Sequence, residues 1–103
     1  MEPKTENYQY QIALETPLGI KKGKLFLTVT GDRLDGTVEI LGRQQSCTGE
    51  RNPDGSCVFS GQLKTLRSVF DYTATGHFDE TSVVFDLKYP YGVLHATGER
   101  ISS

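Results

Sequence analysis

The chain has 103 residues and a formal net charge of −2, and 36% of its residues are hydrophobic. This length suits one domain with a single core, and the composition is that of a folded chain. The slightly acidic charge argues against nucleic acid as a partner, and no apolar run approaches the roughly 18 residues of a membrane span. We therefore expect neither nucleic acid nor a membrane among the partners.

The start of the chain, MEPKTENYQYQ, lacks the basic and apolar regions of a secretory signal. This predicts a cytoplasmic protein. We expect residues 1–7 to form a flexible N-terminal segment and residues 8–103 to form one domain.

Alternation of apolar and polar residues begins in YQYQIAL and predicts a first strand at about 8–15. Residues 16–23, which contain TPLG, are predicted to form a loop. The same alternation then predicts three further strands in the first half of the chain, at 24–30, 34–41 and 43–50.

After the NPDG turn, the period-two pattern continues and predicts four more strands, at 56–64, 69–78, 82–88 and 93–100. No stretch has a convincing helical period. Short connections favour antiparallel neighbours, and a meander of eight strands removes its edges by closing. The sequence therefore predicts an all-β, eight-stranded antiparallel up-and-down barrel, with a two-sheet sandwich as the alternative.

The word TGER occurs at 48–51 and again at 97–100, 49 residues apart. Sliding the chain by 49 residues keeps the strand phase, which suggests an internal repeat of four plus four strands. Four glycines share the inward phase, where close approach between strands favours glycine: Gly49, Gly61, Gly76 and Gly98. We expect Arg51 and Arg100 to lie at strand ends with their charges in water, and an anion clamp is the alternative interpretation.

The two cysteines flank the NPDG turn. A hairpin with that turn places Cys47 opposite Gly61 and Arg51 opposite Cys57. The thiols are then roughly 13 Å apart, beyond the roughly 7 Å that a disulfide spans. We predict two free, buried thiols, which suits a reducing compartment.

Motifs of catalysis are weak. His77 shares a strand face with Asp79, and His95 shares one with Glu99, but two ligands do not specify a metal site. Phosphate-binding, metalloprotease and nucleophile-elbow motifs are absent from the sequence. We expect no cofactor, no metal and no catalytic residues, and an enzyme is possible but not favoured.

In a meander, alternate loops meet at the same end of the barrel. The loops at 31–35, 51–55 and 79–82 form a charged end, here called the polar end. The loops at 16–23, 41–42, 65–69 and 89–92 form the other, here called the apolar end. It carries these residues: Pro17, Leu18, Ile20, Leu41, Leu66, Tyr89, Pro90 and Tyr91. Concentrated apolar loop residues suggest a ligand portal or an oligomer contact, unless loop 16–23 folds inward and plugs the barrel.

Strand phase aims Arg43 and Gln45 inward just below the apolar end. Because a buried charge needs a partner, Arg43 either lies solvated at the rim or meets a polar ligand. The predicted ligand site comprises Arg43, Gln45, Tyr10, Tyr72, Leu18, Tyr89 and Tyr91.

Seven aromatic residues share the inward phase: Tyr8, Tyr10, Phe59, Phe70, Tyr72, Phe78 and Phe85. A small antiparallel meander with such an interior resembles the calycin group of lipocalins, fatty-acid-binding proteins and streptavidin-type barrels. The sequence has no Trp, so the lipocalin signature is absent. Residues 16–23 offer no counterpart to the helical lid of fatty-acid-binding proteins, and a biotin site cannot be mapped.

The resemblance implies a barrel that binds a small, mainly apolar or anionic-apolar ligand in its interior. An eight-stranded barrel is wide enough either to hold one small ligand or to be filled by its own side chains. The alternative is therefore a self-filled barrel acting as an oligomerisation or accessory module without a ligand. Outward apolar residues and the apolar end also lead us to expect a homodimer.

Overall fold

The computed structural model describes residues 5–40, 42–64 and 68–101. Its strands are β1 (Thr5–Thr16), β2 (Gly19–Thr30), β3 (Arg33–Ile40), β4 (Arg43–Arg51), β5 (Ser56–Lys64), β6 (Val69–Phe78), β7 (Ser82–Tyr89) and β8 (Gly92–Arg100). Each strand pairs antiparallel with the next, and β8 pairs with β1. The predicted all-β, up-and-down barrel is confirmed, and the sandwich alternative is wrong.

The described ranges contain no helix that is long and apolar enough to cross a membrane. Of the N-terminal segment predicted over 1–7, residues 1–4 lie outside the described residues, and residues 5–7 belong to β1. The predicted apolar-end residues Leu41 and Leu66 also lie outside them.

The core fills the inside of the barrel, because every second residue of each strand points inward. Tyr10, Phe59, Leu25, Leu27 and Leu34 are the largest side chains that are fully buried. Of the seven aromatic residues predicted to face inward, six are buried and Phe70 is half-buried against the core. The predicted strand phase is therefore confirmed.

The predicted loop over 16–23 is wrong. Pro17 and Leu18 make a two-residue turn, and the strands on either side continue to Thr16 and from Gly19. The Thr16 hydroxyl accepts a hydrogen bond from Leu18 N–H at 3.2 Å and donates one to the Gly19 carbonyl at 2.7 Å. Gly19 has a φ of 109°, a conformation that favours glycine.

The β1–β2 hairpin extends past β3 at the apolar end. β2 begins to pair with β3 only at Gly23, and β1 pairs with β8 as far as Glu15. Residues 19–22 of β2 therefore pair only with β1. The β1–β2 turn does not plug the barrel, because its tip points away from the core and Leu18 is 87% exposed to solvent.

The two halves of the chain repeat each other's pairing. Shifting β3 and β4 by 49 residues gives the bounds of β7 and β8. The registers repeat as well: Arg33 pairs with Glu50 as Ser82 pairs with Glu99, and the β1–β2 and β2–β3 registers recur in β5–β6 and β6–β7. Even the turn bond from Arg51 N–H to the Asp32 carbonyl recurs 49 residues later.

Among the ladders of the described residues, the two junctions between the halves are where the registers differ. In the β4–β5 ladder Gly49 pairs with Phe59, whereas in the β8–β1 ladder the equivalent Gly98 pairs with Ile12 instead of Tyr10, a slip of two residues. A path of paired residues that starts at Thr5 and follows the ladders once around the barrel returns to β1 at Glu15, ten residues further along.

Close approach explains the inward glycines near the polar end. A Cβ added at Gly49 would overlap the Val58 carbonyl oxygen and lie 2.5 Å from Phe59 Cα. A Cβ at Gly98 would lie 2.6 Å from the Gln11 carbonyl oxygen. Neighbouring strands therefore bend tightly against these positions, as the sequence predicted.

Candidate ligand-binding site

An apolar cup of about 370 Å³ opens at the apolar end of the barrel. Every strand except β4 contributes to it, together with the β1–β2 turn. Its lining consists of Leu14, Thr16, Pro17, Leu18, Lys21, Ile40, Leu63, Phe70, Tyr89 and Leu94. This volume lies at the small end of the range of ligand pockets, which are mostly apolar with a few placed polar groups.

The cup has a closed floor. Leu14, Ile40 and Leu63 line it from below and also line a void of only about 10 Å³ inside the barrel. Such a void holds at most one water molecule. Phe59 and Phe85 fill the space beneath, with ring centroids 5.3 Å apart in an edge-to-face arrangement. A ligand therefore fits in the cup and does not reach the middle of the barrel.

Lys21 is the one charged residue among the described residues that line the cup. It has the inward phase of β2, pairs with Leu14 across the hairpin and is half-buried. Among the described residues no carboxylate forms an ion pair with it. The arrangement offers an apolar surface with one free cation at its edge, which fits an apolar body that carries an acidic group.

Three aromatic rings form one wall of the cup and its outer edge. Phe70, Tyr89 and Tyr91 pack against one another with centroid distances of 5.6 to 5.9 Å. Phe70 and Tyr89 face the cup, and Tyr91 lies outside them with most of its surface in solvent. The cluster holds the wall rigid through edge-to-face contacts.

Of the predicted site residues, Leu18 and Tyr89 line the cup and Tyr91 supports its wall. Arg43 does not line it, because β4 starts there and the side chain is exposed. Gln45 is half-buried and faces a different concavity, a surface groove over β4, β5 and β6.

The structure separates the two predicted tyrosines from the cup. Tyr10 is fully buried near the polar end, where its hydroxyl donates a hydrogen bond to the Asp79 carbonyl. Tyr72 lies below the floor, beside the small void. Its hydroxyl is buried and finds no hydrogen bond of normal geometry among the described residues, although the Cys47 thiol is near enough to affect its pKa.

The polar end is closed by packed aromatic rings. Phe78 packs edge-on against Tyr8, with ring centroids 5.3 Å apart. Each of these two rings contacts the arginine of one TGER repeat. The Arg51 guanidinium lies 5.5 Å from the Phe78 centroid and that of Arg100 lies 5.0 Å from the Tyr8 centroid. The two arginines thus act as covers for the aromatic core through cation–π contacts.

The thiols are free and buried, as predicted, and the predicted hairpin register around them is confirmed. Burial raises the pKa of Cys47 and of Cys57 from 9 to about 11. Both are therefore protonated and unreactive at neutral pH. His95 pairs with Asp86 at 2.8 Å on the outer wall, and the described residues contain no cluster of three metal-ligating side chains.

The sequence analysis missed Lys21 because residues 16–23 were interpreted as a loop. A usable signal was present: the inward phase of Leu25 and Gly23 continues backwards without a break to Lys21 and Gly19. The alternating pattern places the floor residues Leu14, Ile40 and Leu63 on strands, but it gives no height along the barrel.

With this geometry established, comparison with known proteins assigns no family. The chain matches no protein-family model, and no curated protein matches its sequence.

Proposed function

We propose that this barrel binds one small, mainly apolar ligand in the cup at its apolar end, in the manner of calycin-type barrels. The observation that carries the proposal is the cup of about 370 Å³, which seven strands line almost wholly with apolar side chains. Covering an apolar concavity of this size with a ligand is favourable, because it removes apolar surface from water.

The proposed ligand sits in the cup and not deep inside the barrel, since only about 10 Å³ is open beneath the floor. This departs from the expectation of a ligand in the interior. It also keeps the ligand short, with one face against Leu14 and Leu63 and the other toward solvent.

Lys21 supports a ligand with an acidic group. It is half-buried in the lining, and lysine on an apolar surface commonly packs its aliphatic stem there and keeps its ammonium group in water. A carboxylate or phosphate on the ligand would gain a charge-assisted hydrogen bond there. Arg43, exposed at the start of β4, does not line the cup.

The proposed compartment is the cytoplasm. Two buried thiols that remain unpaired, Cys47 and Cys57, fit a reducing environment, where disulfides are rare.

A second candidate function has its own observation. The barrel is filled by its own side chains below the cup, which supports a stable module that holds no ligand and acts through its surface, for example as a homodimer. In that case the cup is only the rim of a packed core.

A probe-binding titration separates the two. We would titrate the protein with 1-anilinonaphthalene-8-sulfonate, an apolar anion, and with N-phenyl-1-naphthylamine, a neutral probe. Saturable binding of both at one site per chain is expected. Lys21→Ala should weaken the anion about fivefold to tenfold and leave the neutral probe nearly unchanged, because the charge pair is partly exposed to water.

Two variants make the titration specific to the cup. Leu94→Trp adds volume at the lining and should abolish binding of both probes, while Lys88→Ala, outside the lining, should change neither. Lack of saturable binding by the folded wild type, or equal binding by Leu94→Trp, would overturn the proposal and leave the self-filled module.

A further inference from the structure

We infer that the apolar end docks on an anionic lipid surface, with the β1–β2 hairpin tip entering the headgroup region. The inference goes beyond ligand binding and does not depend on an occupied cup. Five large side chains at this end are mostly exposed: Leu18 at 87%, Tyr91 at 77%, Ile20 at 63%, Val93 at 57% and Val69 at 55%. Exposed apolar groups clustered at one end mark an interaction site.

The shape of this end suits shallow insertion. The hairpin projects past β3, and Leu18 and Ile20 lie at its exposed tip. Its turn keeps polar backbone groups satisfied through the Thr16 hydroxyl. Beside it, Tyr91 offers an aromatic ring with a polar tip, which suits the boundary between headgroups and acyl chains.

A ring of cations surrounds this tip. The basic collar consists of Lys21, Lys22, Arg43, Lys64 and Lys88, each at the apolar-end portion of its strand. Four acids share this region: Glu15, Glu39, Asp71 and Asp86, the last of which pairs with His95. Glu39 accepts a hydrogen bond from Gln44 and Asp71 accepts one from Gln62. The turns of the polar end instead carry Asp32, Asp54, Asp79 and Glu80.

The charge pattern selects the partner. A neutral protein groove would cover the apolar tip but leave the collar unused, whereas anionic headgroups match the collar and acyl chains match the tip. A second copy docked tip to tip would bring two basic collars together, which opposes that dimer. A membrane span is not needed, because interfacial segments enter only about 5–10 Å.

The orientation can be measured with a single tryptophan, since the sequence has none. Ile20→Trp places the reporter on the tip outside the cup lining, and Val58→Trp places a control on the outer face of β5 near the polar end. With vesicles of phosphatidylcholine containing 30% phosphatidylserine, the emission of Ile20→Trp should shift to the blue and be quenched by brominated acyl chains. Val58→Trp should show neither effect.

The charge requirement has a matched pair of variants. Arg43 and Arg33 are exposed arginines at the first positions of consecutive strands, but at opposite ends of the barrel. Arg43→Glu should lower vesicle affinity at least about fivefold, the worth of one basic residue near an anionic surface, and Arg33→Glu should not. Binding should also fall steeply with added salt and be weak on pure phosphatidylcholine.

Three results would overturn the inference. One is a folded wild-type chain that does not co-sediment with anionic vesicles. Another is equal binding by Arg43→Glu and Arg33→Glu. The third is light scattering that shows a dimer which Ile20→Asp converts to a monomer, because the tip would then be a contact between copies of this chain.

Discussion

The two ends of the barrel differ in how the apolar interior is covered from water. At the polar end, Phe78 and Tyr8 fill the opening and the side chains of Arg51 and Arg100 cover them. At the apolar end, leucines and Phe70 form a cup that is left open by the side chains of the described ranges. The apolar side chains at the polar end are therefore covered by other side chains of the barrel, while those at the apolar end stay open to a ligand or a partner.

The difference begins with small residues. Near the polar end, Gly49, Gly76 and Gly98 each stand two residues before the last residue of their strands and let neighbouring backbones approach. Rings from the non-adjacent strands β1 and β6 then meet across the opening. Near the apolar end the inward positions carry branched side chains, which hold the strands apart and keep the cup open. Closure thus depends on glycine and aromatic residues acting together.

The strongest test of this contrast replaces a phenylalanine at each end. Phe78→Ala should cost about 3–5 kcal/mol of unfolding free energy, because it removes a buried ring that packs on Tyr8 and Tyr10. Phe70→Ala should cost about 1 kcal/mol, since that ring is half-buried and borders the open cup. Urea unfolding followed by circular dichroism gives both values, and equal losses would contradict the contrast.

Unfolding at alkaline pH tests whether water is excluded from the buried thiols in the core between the two ends. The pKa of Cys47 and of Cys57 is raised by burial from 9 to about 11, so the folded state holds these protons more tightly than the unfolded state. Stability should therefore be full below pH 9 and fall as pH rises toward 11, by about 2 kcal/mol for each thiol at pH 11.

Between pH 9 and 10 the thiols contribute most of this loss, because the pKa of an unfolded thiol is near 9 and that of an unfolded tyrosine is near 10. The raised pKa values of the buried Tyr10 and Tyr72 add a smaller loss in the same window. The urea midpoint measured across this window should fall for the wild type, and it should fall less steeply in Cys57→Ala, whatever the change in overall stability. An unchanged midpoint between pH 9 and 10 would mean that water reaches the thiols.

Close packing at the polar end has its own test. Gly49→Ala should lower the unfolding free energy by about 1–3 kcal/mol, because the added methyl overlaps the Val58 carbonyl and presses on Phe59. The neighbouring Thr48→Ala, on the exposed face of β4, is the matched control and should stay within about 0.5 kcal/mol of the wild type. A tolerated Gly49→Ala would show that the polar end can expand.

The smallest expected effect concerns two buried hydroxyls. Tyr10→Phe should cost about 1 kcal/mol, since it leaves the Asp79 carbonyl without its partner. Tyr72→Phe should be neutral or slightly stabilising, because the hydroxyl it removes has no well-formed hydrogen bond among the described residues. Thermal unfolding of both variants side by side measures the difference, and a larger loss for Tyr72→Phe would point to a bound water or ligand below the cup.

Much of the fold could be predicted from the sequence because a strand's phase is a local property. Alternation placed Phe59, Phe78 and Phe85 inside, and the NPDG turn set the register that keeps Cys47 and Cys57 apart. The β1–β2 hairpin was missed because its polar lysines and two glycines obscure the alternation between Thr16 and Leu25.

The candidate site was harder to predict because it depends on height along the barrel. Phase puts Tyr10 and Leu14 on the same face, yet one contacts the polar end and the other forms the floor of the cup. Phase likewise aims Arg43 inward, but at the first residue of β4 there is no neighbouring layer to bury it. The position of a residue along the barrel axis depends on the register between neighbouring strands, which the alternating pattern does not give.

The two-residue slip between the junctions sets the width of the barrel. Because the ladders return to β1 ten residues further along, the shear number is ten, whereas two identical junctions would give eight. For eight strands with usual spacings, this change raises the strand tilt from about 35° to about 41° and the radius by about 0.7 Å. An exact duplication of the first half would thus make a narrower cylinder, with less room for the facing rings of Phe59 and Phe85. The departure from perfect repetition is what allows an aromatic interior.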